Sequence, residues 1–111
     1  MLIYKIFRPS EWAQLLNDGC TDGAPVDRAN GYIHFSSASQ VGATLAKHFA
    51  QEDRLMIVAC EARSLSPQLL WEPSRGGALF PHLYRPLRIE DILWSRTIPL
   101  TAKGHDTGEL E

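Results

Sequence analysis

The chain has 111 residues, which is the size of one ordinary domain and too small for two. Apolar residues make up 44% of it and charged residues 22%, a balance typical of globular domains rather than of disordered chains. Eleven lysines and arginines stand against thirteen acidic residues, for a formal net charge of −2. No global positive field exists, so a nonspecific coat for nucleic acid is excluded.

The compartment is predicted from what the chain lacks. No apolar run approaches the roughly 20 residues of a membrane span, and the start of the chain lacks the basic and long apolar stretches of a signal peptide. Cys20 and Cys60 stand far apart with no Cys-x-x-Cys pair, so spacing indicates neither a redox motif nor a zinc site. We expect a cytoplasmic protein, away from membranes, with both thiols reduced.

The first third of the chain predicts a strand, a helix and a loop. Residues 2–7 alternate in β-forming side chains and predict a strand. Pro9 suits the first turn of a helix, whose apolar residues recur at helical spacing until residues 17–19 end it. Residues 19–31 carry glycine, asparagine and proline without apolar periodicity, which predicts a long loop and a candidate lid or binding loop.

The middle of the chain predicts a strand, a second helix and a buried strand. Residues 32–35 form the strand candidate, and Ser37 with Gln40 forms a capping box that predicts the start of a helix. One apolar stripe follows at helical spacing: Ala38, Val41, Gly42, Leu45 and Phe49. Residues 54–60 are almost continuously apolar, as in a central strand buried on both faces.

The second half is rich in predicted strands. Residues 69–72, 79–84 and 92–100 are three further strand candidates, separated by turn-forming residues. Residues 101–111 carry no apolar pattern, and we expect a disordered tail there. Strands and helices mix without regular βαβ alternation, which favours one α+β domain over residues 1–100. Its sheet is expected to be small, largely antiparallel, bent or split, with two helices.

His34 and Ser36 form the first candidate site. Residues i and i+2 of a strand face the same way, so an imidazole and a hydroxyl project together at the end of the second strand. A neutral imidazole both donates and accepts hydrogen bonds, so this face suits a polar ligand such as a ribose or an amide. The alternative is a structural histidine that bonds the backbone.

The segment around Pro81 forms the second candidate site. Phe80, His82 and Tyr84 share one strand face. Tyr84 can stack on a planar ring, and His82 can donate or carry a proton. Proline is tolerated in edge strands, so we expect this strand at a sheet edge, beside a cleft. The alternative places Phe80 and Tyr84 in the core and His82 on the surface.

Charged residues supply weaker candidates. Arg75, Arg85 and Arg88 with the Gly76-Gly77 turn form a local anion site in a stretch without acids, or are simply solvated. Glu72 and the Glu90-Asp91 pair are carboxylates suited to acid or base work, although single carboxylates at turns usually serve as solvated or capping groups. No histidine or cysteine spacing supports a metal site, and none is predicted.

The two histidine strands resemble a known family. The residues that carry the resemblance are Gly31-Tyr32-Ile33-His34-Phe35-Ser36, Trp71-Glu72 and Leu79-Phe80-Pro81-His82-Leu83-Tyr84. With Tyr4-Lys5-Ile6 and Trp12, they are similar to the bacterial domain of unknown function 952. The match spans nearly all of residues 1–100, and Arg85 stands where that family more often has glycine.

That family in turn resembles the ADP-ribosyltransferases in fold, which implies an NAD cleft between two small antiparallel sheets. The resemblance implies that His34, with Ser36 beside it, holds the ribose and amide on the nicotinamide side. It gives His82 or Tyr84 the place against the nicotinamide, and Glu90 is the guess for the late glutamate.

The resulting expectation is a domain that binds NAD or a related nucleotide. His34, His82 and Tyr84 are the candidate catalytic residues, and the candidate ligand-binding residues are His34, Ser36, Arg75, Phe80, His82, Tyr84 and Arg85. Transfer of ADP-ribose is one interpretation, and a ligand-sensing or protein-interaction module on the same fold is the other. Contact of the Arg75 to Arg88 segment with nucleic acid has weaker support.

Overall fold

A computed structural model describes the backbone of residues 1–111 and every side chain except that of Arg75. Three α-helices and ten strands alternate with short 3₁₀ turns. The helices are α1 (Pro9–Asp18), α2 (Pro25–Asn30) and α3 (Val41–His48). The strands are β1 (Leu2–Phe7), β2 (Cys20–Thr21), β3 (Ile33–His34), β4 (Leu55–Glu61), β5 (Leu69–Pro73), β6 (Leu79–Leu83), β7 (Leu87–Arg88), β8 (Ile92–Ile98), β9 (Leu100–Thr101) and β10 (Gly104–His105).

Two three-stranded antiparallel sheets form the framework. The first has the order β1-β4-β8 and the second the order β3-β6-β5. They meet where Tyr4 and Ser36 exchange two backbone hydrogen bonds of 2.8 Å each. The prediction of an α+β fold with largely antiparallel strands is therefore confirmed, with the sheet split in two and three helices instead of two.

The central strand of the first sheet carries the core on both of its faces. Residues 55 and 57–60 are buried, as the apolar run predicted. Leu15 of α1 packs with the cluster on one face, and Val41 and Leu45 of α3 pack with the cluster on the other. In each helix, apolar side chains at helical spacing form one stripe, and this stripe packs against the sheet.

The expected loop over residues 19–31 contains regular structure. Within it, β2 pairs with β7, and α2 forms a short helix from Pro25 to a left-handed Gly31. Proline is suited to the first turn of a helix, and Asp27 accepts a hydrogen bond from the Ala24 backbone N–H at 2.8 Å. The prediction failed because the buried residue of this helix is an aspartate, which leaves no apolar periodicity.

The predicted capping box forms a turn instead of opening a helix. The Ser37 backbone N–H donates to Gln40 Oε1 at 2.9 Å, but α3 begins only at Val41. The Gln40 amide also donates to the Leu79 carbonyl at 2.8 Å. The Gln40 side chain, which the local pattern assigned to a helix start, thus also binds strand β6, 39 positions away.

The proline strand is not at a sheet edge, contrary to expectation. β6 lies between β3 and β5. The Pro81 carbonyl accepts a hydrogen bond from the Phe35 N–H at 2.9 Å, immediately beyond the end of β3 at His34. In a strand, the backbone nitrogen and carbonyl of one residue point to the same side. The Pro81 nitrogen therefore also faces β3, at the point where that two-residue strand ends. A missing donor is tolerated there for the same reason as at an edge.

The segment expected to be disordered, residues 101–111, is folded against the first sheet. β9 and β10 form a hairpin, and Leu110 packs against the cluster that contains Tyr4 and Ile57. The Glu109 carbonyl accepts a hydrogen bond from the Arg96 guanidinium. Polar contacts and one leucine hold this segment, so it has no apolar periodicity to detect. Among the described residues no helix is long and apolar enough to cross a membrane.

Candidate functional site

A pocket of about 550 Å³ lies where the two sheets meet. We call it the inter-sheet pocket. α2 and α3 supply its side walls, and its lining includes Tyr4, Asp27, His34, Ser36, Phe80 and His82. Its volume falls within the range of small-molecule sites, which are typically apolar with a few convergent polar groups.

Asp27 is the polar centre of one wall. Its side chain is fully buried, and its carboxylate accepts from Lys5 Nζ at 2.8 Å, from His34 Nδ1 at 2.6 Å and from two backbone N–H groups. Burial by itself would raise the pKa of Asp27, but the bonds from His34 and Lys5 and the lysine charge outweigh it and lower the pKa to about 2. Asp27 is therefore ionised at neutral pH and orients both partners.

His34 is held by Asp27 on one side and faces Asn30 on the other. Its Nε2 lies 3.3 Å from the Asn30 side-chain amide nitrogen. An ionised carboxylate can only accept hydrogen bonds, so Nδ1 carries the proton and Nε2 is an acceptor in the neutral ring. The side chain is 32% exposed, which leaves His34 accessible from the pocket.

His82 is held by Glu72 in a matching arrangement. Glu72 Oε1 accepts from His82 Nδ1 at 2.8 Å and from the Tyr84 hydroxyl at 2.7 Å. The Tyr84 and His82 hydrogen bonds lower the pKa of Glu72, and the bond to Glu72 raises the pKa of Tyr84 to about 12. His82 Nε2 is buried and has no hydrogen-bond partner among the described residues. A buried polar atom in this condition costs free energy until a donor reaches it.

The Tyr32 ring packs against both imidazoles. It stacks on His82 with ring centroids 4.1 Å apart, and lies 4.6 Å from His34 and 5.2 Å from Tyr84. The two imidazole rings are 5.3 Å apart, edge to face. The two imidazoles and the Tyr32 ring therefore form one aromatic cluster.

Four of the predicted site residues share the inter-sheet pocket: His34, Ser36, Phe80 and His82. Ser36 Oγ also lies 3.0 Å from Thr44 Oγ1 on α3. Tyr84 lines a neighbouring pocket of about 290 Å³ and is linked to His82 of the first pocket through Glu72. His34 with Ser36, and Phe80 with His82, thus line the same pocket, as expected for residues i and i+2 of a strand. Tyr84 does not, because it lies beyond the end of β6.

The predicted anion site is only partly described. The side chain of Arg75 lies outside the described residues. The Arg85 guanidinium makes a two-pronged contact with Asp91 at 2.8 and 3.1 Å, and it lines the neighbouring pocket with Tyr84. The stretch has no acid of its own, but Asp91 follows it closely and matches this charge. Glu90, the guess for a late glutamate, is exposed and does not line either pocket.

Sequence reasoning missed three contributors to the site. Asp27 fell in the expected loop, although Pro25 followed by an acid two positions later is a helix-start signal that marks it. Glu72 was recognised as a carboxylate but not as the partner of His82. Tyr32 was assigned only to a strand. Lys5 of β1 meets Asp27 of α2, and Glu72 of β5 meets His82 of β6, only in the folded chain, and no local pattern reveals either contact.

Comparison with known proteins places this architecture in a family. The crystal structure of protein CC0527 from Caulobacter crescentus has 43% identity and a TM-score of 0.90, over 95% of this chain and 92% of that one. The solution NMR structure of CC0527 has 42% identity and a TM-score of 0.85, over 96% and 91%. No curated protein matches this chain. A family model matches residues 6–95, so the chain belongs to the family described as "Protein of unknown function (DUF952)".

Proposed function

We propose that this domain binds NAD, or a closely related nucleotide, in the inter-sheet pocket. The observation that carries the proposal is the buried Nε2 of His82, which has no partner among the described residues although its ring lines the pocket. A buried polar atom of a residue that lines a pocket is satisfied when a ligand donates to it.

The rest of the pocket supports a ligand of this class. Phe35 and Phe80 supply apolar surface for a planar ring, while His34 and Ser36 supply polar groups at one end. The position of the pocket between two small antiparallel sheets also supports the resemblance to the ADP-ribosyltransferases. The pocket volume of about 550 Å³ suits a ligand of nucleotide size.

A second candidate function, sensing without chemistry, has an observation in its favour. Breaking the N-glycosidic bond of NAD develops positive charge on the ribose, which a carboxylate or the pyrophosphate must stabilise. Among the described side chains that line the pocket, only Asp27 is acidic, and Lys5 and His34 already occupy its oxygens. Transfer of ADP-ribose therefore requires the pyrophosphate of NAD, or Asp27 acting through His34, to stabilise this charge, whereas binding requires no such step.

The test is a heteronuclear NMR titration of labelled protein with NAD and with ADP-ribose. We expect shifts at His34, Ser36 and His82, and affinity weakened by about tenfold or more in His34→Ala. His105→Ala is the control, because His105 lies outside the pocket. The absence of any shift at millimolar ligand would remove this ligand class.

Release of nicotinamide, measured on the same samples, separates the two functions. Turnover that His82→Ala abolishes supports transfer of ADP-ribose. Saturable binding without release supports the sensing module, and partner screening follows from that outcome.

A further inference from the structure

We infer that Glu72 and Asp27 are positioning residues that hold His82 and His34 in the Nδ1–H form, so that the inter-sheet pocket recognises hydrogen-bond donors. While the rings are neutral, the ligand group that meets the two imidazoles is then a hydroxyl or an amide N–H and not an anionic oxygen. Only the identity of the ligand as a nucleotide rests on the proposed function. For a nucleotide, the inference assigns a carboxamide or ribose hydroxyls to the neutral imidazole pair, rather than a phosphate.

The first step is the direction of the two carboxylate bonds. Asp27 accepts from His34 Nδ1 at 2.6 Å, and Glu72 accepts from His82 Nδ1 at 2.8 Å. Ionised carboxylates have no proton to give, so both bonds require a proton on Nδ1. Such a bond selects the tautomer and fixes the ring orientation.

The second step is what remains on the other nitrogen of each ring. A neutral imidazole with a proton on Nδ1 has a lone pair on Nε2. The Asn30 amide nitrogen lies 3.3 Å from His34 Nε2, so a carboxamide already occupies the position that we assign to a donor. His82 Nε2 has no such partner among the described residues. The Lys5 ammonium, which would attract an anion, is bound to Asp27.

The third step is the packing that keeps the rings in place. Tyr32 stacks on His82 at 4.1 Å and tilts against His34 at 4.6 Å. A half-turn of either ring about its Cβ–Cγ bond would put Cδ2 in the place of Nδ1 and would break the bond to the carboxylate. Glu72 and Tyr32 together therefore restrict His82 to one orientation.

The tautomers are measured directly by long-range ¹H–¹⁵N NMR on the free full-length chain, above the pH at which histidines are protonated. We expect Nδ1–H and an unprotonated Nε2 at both His34 and His82. Glu72→Leu removes the acceptor and shifts His82 towards Nε2–H, the form that predominates in free histidine. Glu72→Gln keeps an acceptor oxygen and restores Nδ1–H. Glu90→Gln, an exposed control, changes neither ring.

An Nε2–H signal at His82 in the wild-type chain, or a tautomer that is unaffected in folded Glu72→Leu, would overturn the inference. These readouts need no ligand, so they are independent of the proposed nucleotide. If Glu72→Leu fails to fold, the wild-type and Glu72→Gln spectra still decide the tautomer.

The ligand side is tested with nicotinamide and nicotinate, which differ in carrying an amide or a carboxylate. We expect nicotinamide to shift the pocket resonances at roughly tenfold lower concentration than nicotinate. Equal or tighter binding of nicotinate contradicts donor recognition. If neither compound binds while both tautomers are as expected, recognition of the nicotinamide group fails and the positioning role of Glu72 and Asp27 stands, while the nucleotide proposal is decided by the titration with NAD and ADP-ribose.

Discussion

At the scale of single residues, Asp27 determines more of this site than either histidine. It is fully buried, and it joins β1, α2 and β3 through Lys5, Ala24 and His34. A buried ion pair of this kind is stable only while both partners remain, because a lone charge in the interior is costly. The residue therefore supports the fold and orients the site at once.

Asp27→Asn is predicted to destabilise the protein strongly. The substitution leaves the Lys5 ammonium buried without its counter-charge, and losses of about 3–5 kcal/mol are typical of such changes. Urea denaturation measures the free energy of unfolding. Asp22→Asn is the matched control, because Asp22 is exposed and lies on the same connection. A loss of unfolding free energy no larger than that of Asp22→Asn would show that the ion pair of Asp27 with Lys5 does not stabilise the fold.

At the scale of elements, α2 depends on a close approach of backbone to side chain. Gly23 has a φ of 94°, and a Cβ there would lie 2.2 Å from Asp27 Oδ2. Gly31 at the other end has a φ of 84°, but a Cβ there meets no atom within 4 Å. Both glycines have a positive φ, but only at Gly23 would a Cβ meet other atoms, so the two form a matched pair.

Gly23→Ala is predicted to cost more stability than Gly31→Ala. The first change adds a steric clash to backbone strain, for about 2–3 kcal/mol, and the second adds strain alone, for about 1 kcal/mol. Chemical denaturation gives both values. The His34 amide resonance, whose N–H bonds to Asp27, is expected to move only in Gly23→Ala. Equal losses in both variants would mean that the approach to Asp27 is not tight.

At the scale of the whole molecule, carboxylates link both neighbouring and distant segments of the chain. Asp27, Glu52, Glu72 and Asp91 each have a lowered pKa, because each accepts hydrogen bonds in the folded state. A carboxylate whose pKa is lower in the folded state stabilises the fold above its unfolded pKa. That stabilisation is lost as the pH falls through the folded pKa.

The protein is therefore predicted to lose stability in acid. For Asp27, the loss begins near its ordinary pKa of 3.8 and is complete below about 2. Urea midpoints measured along a pH series check this. Asp27→Asn is expected to flatten the lowest part of that curve. A stability that is unchanged through this window would contradict the role of ionised Asp27.

The sequence by itself determined the elements whose signals are local. The alternation of residues 2–7, the apolar run of residues 54–60 and the proline-led helix α1 all appear where predicted, because backbone geometry and burial act within a few residues. The same rule paired His34 with Ser36 and Phe80 with His82 on the pocket wall. Membership of the family was also visible in those segments.

Only the tertiary structure decided which charged groups meet those histidines. Asp27 reaches Lys5 across 22 positions, and Glu72 reaches His82 across the register of β5 and β6. The docking of residues 101–111 and the central place of β6 were likewise set by neighbours distant in sequence. A buried carboxylate needs hydrogen-bond donors, and the fold can supply them from any part of the chain. This requirement therefore produces no periodic pattern in the sequence.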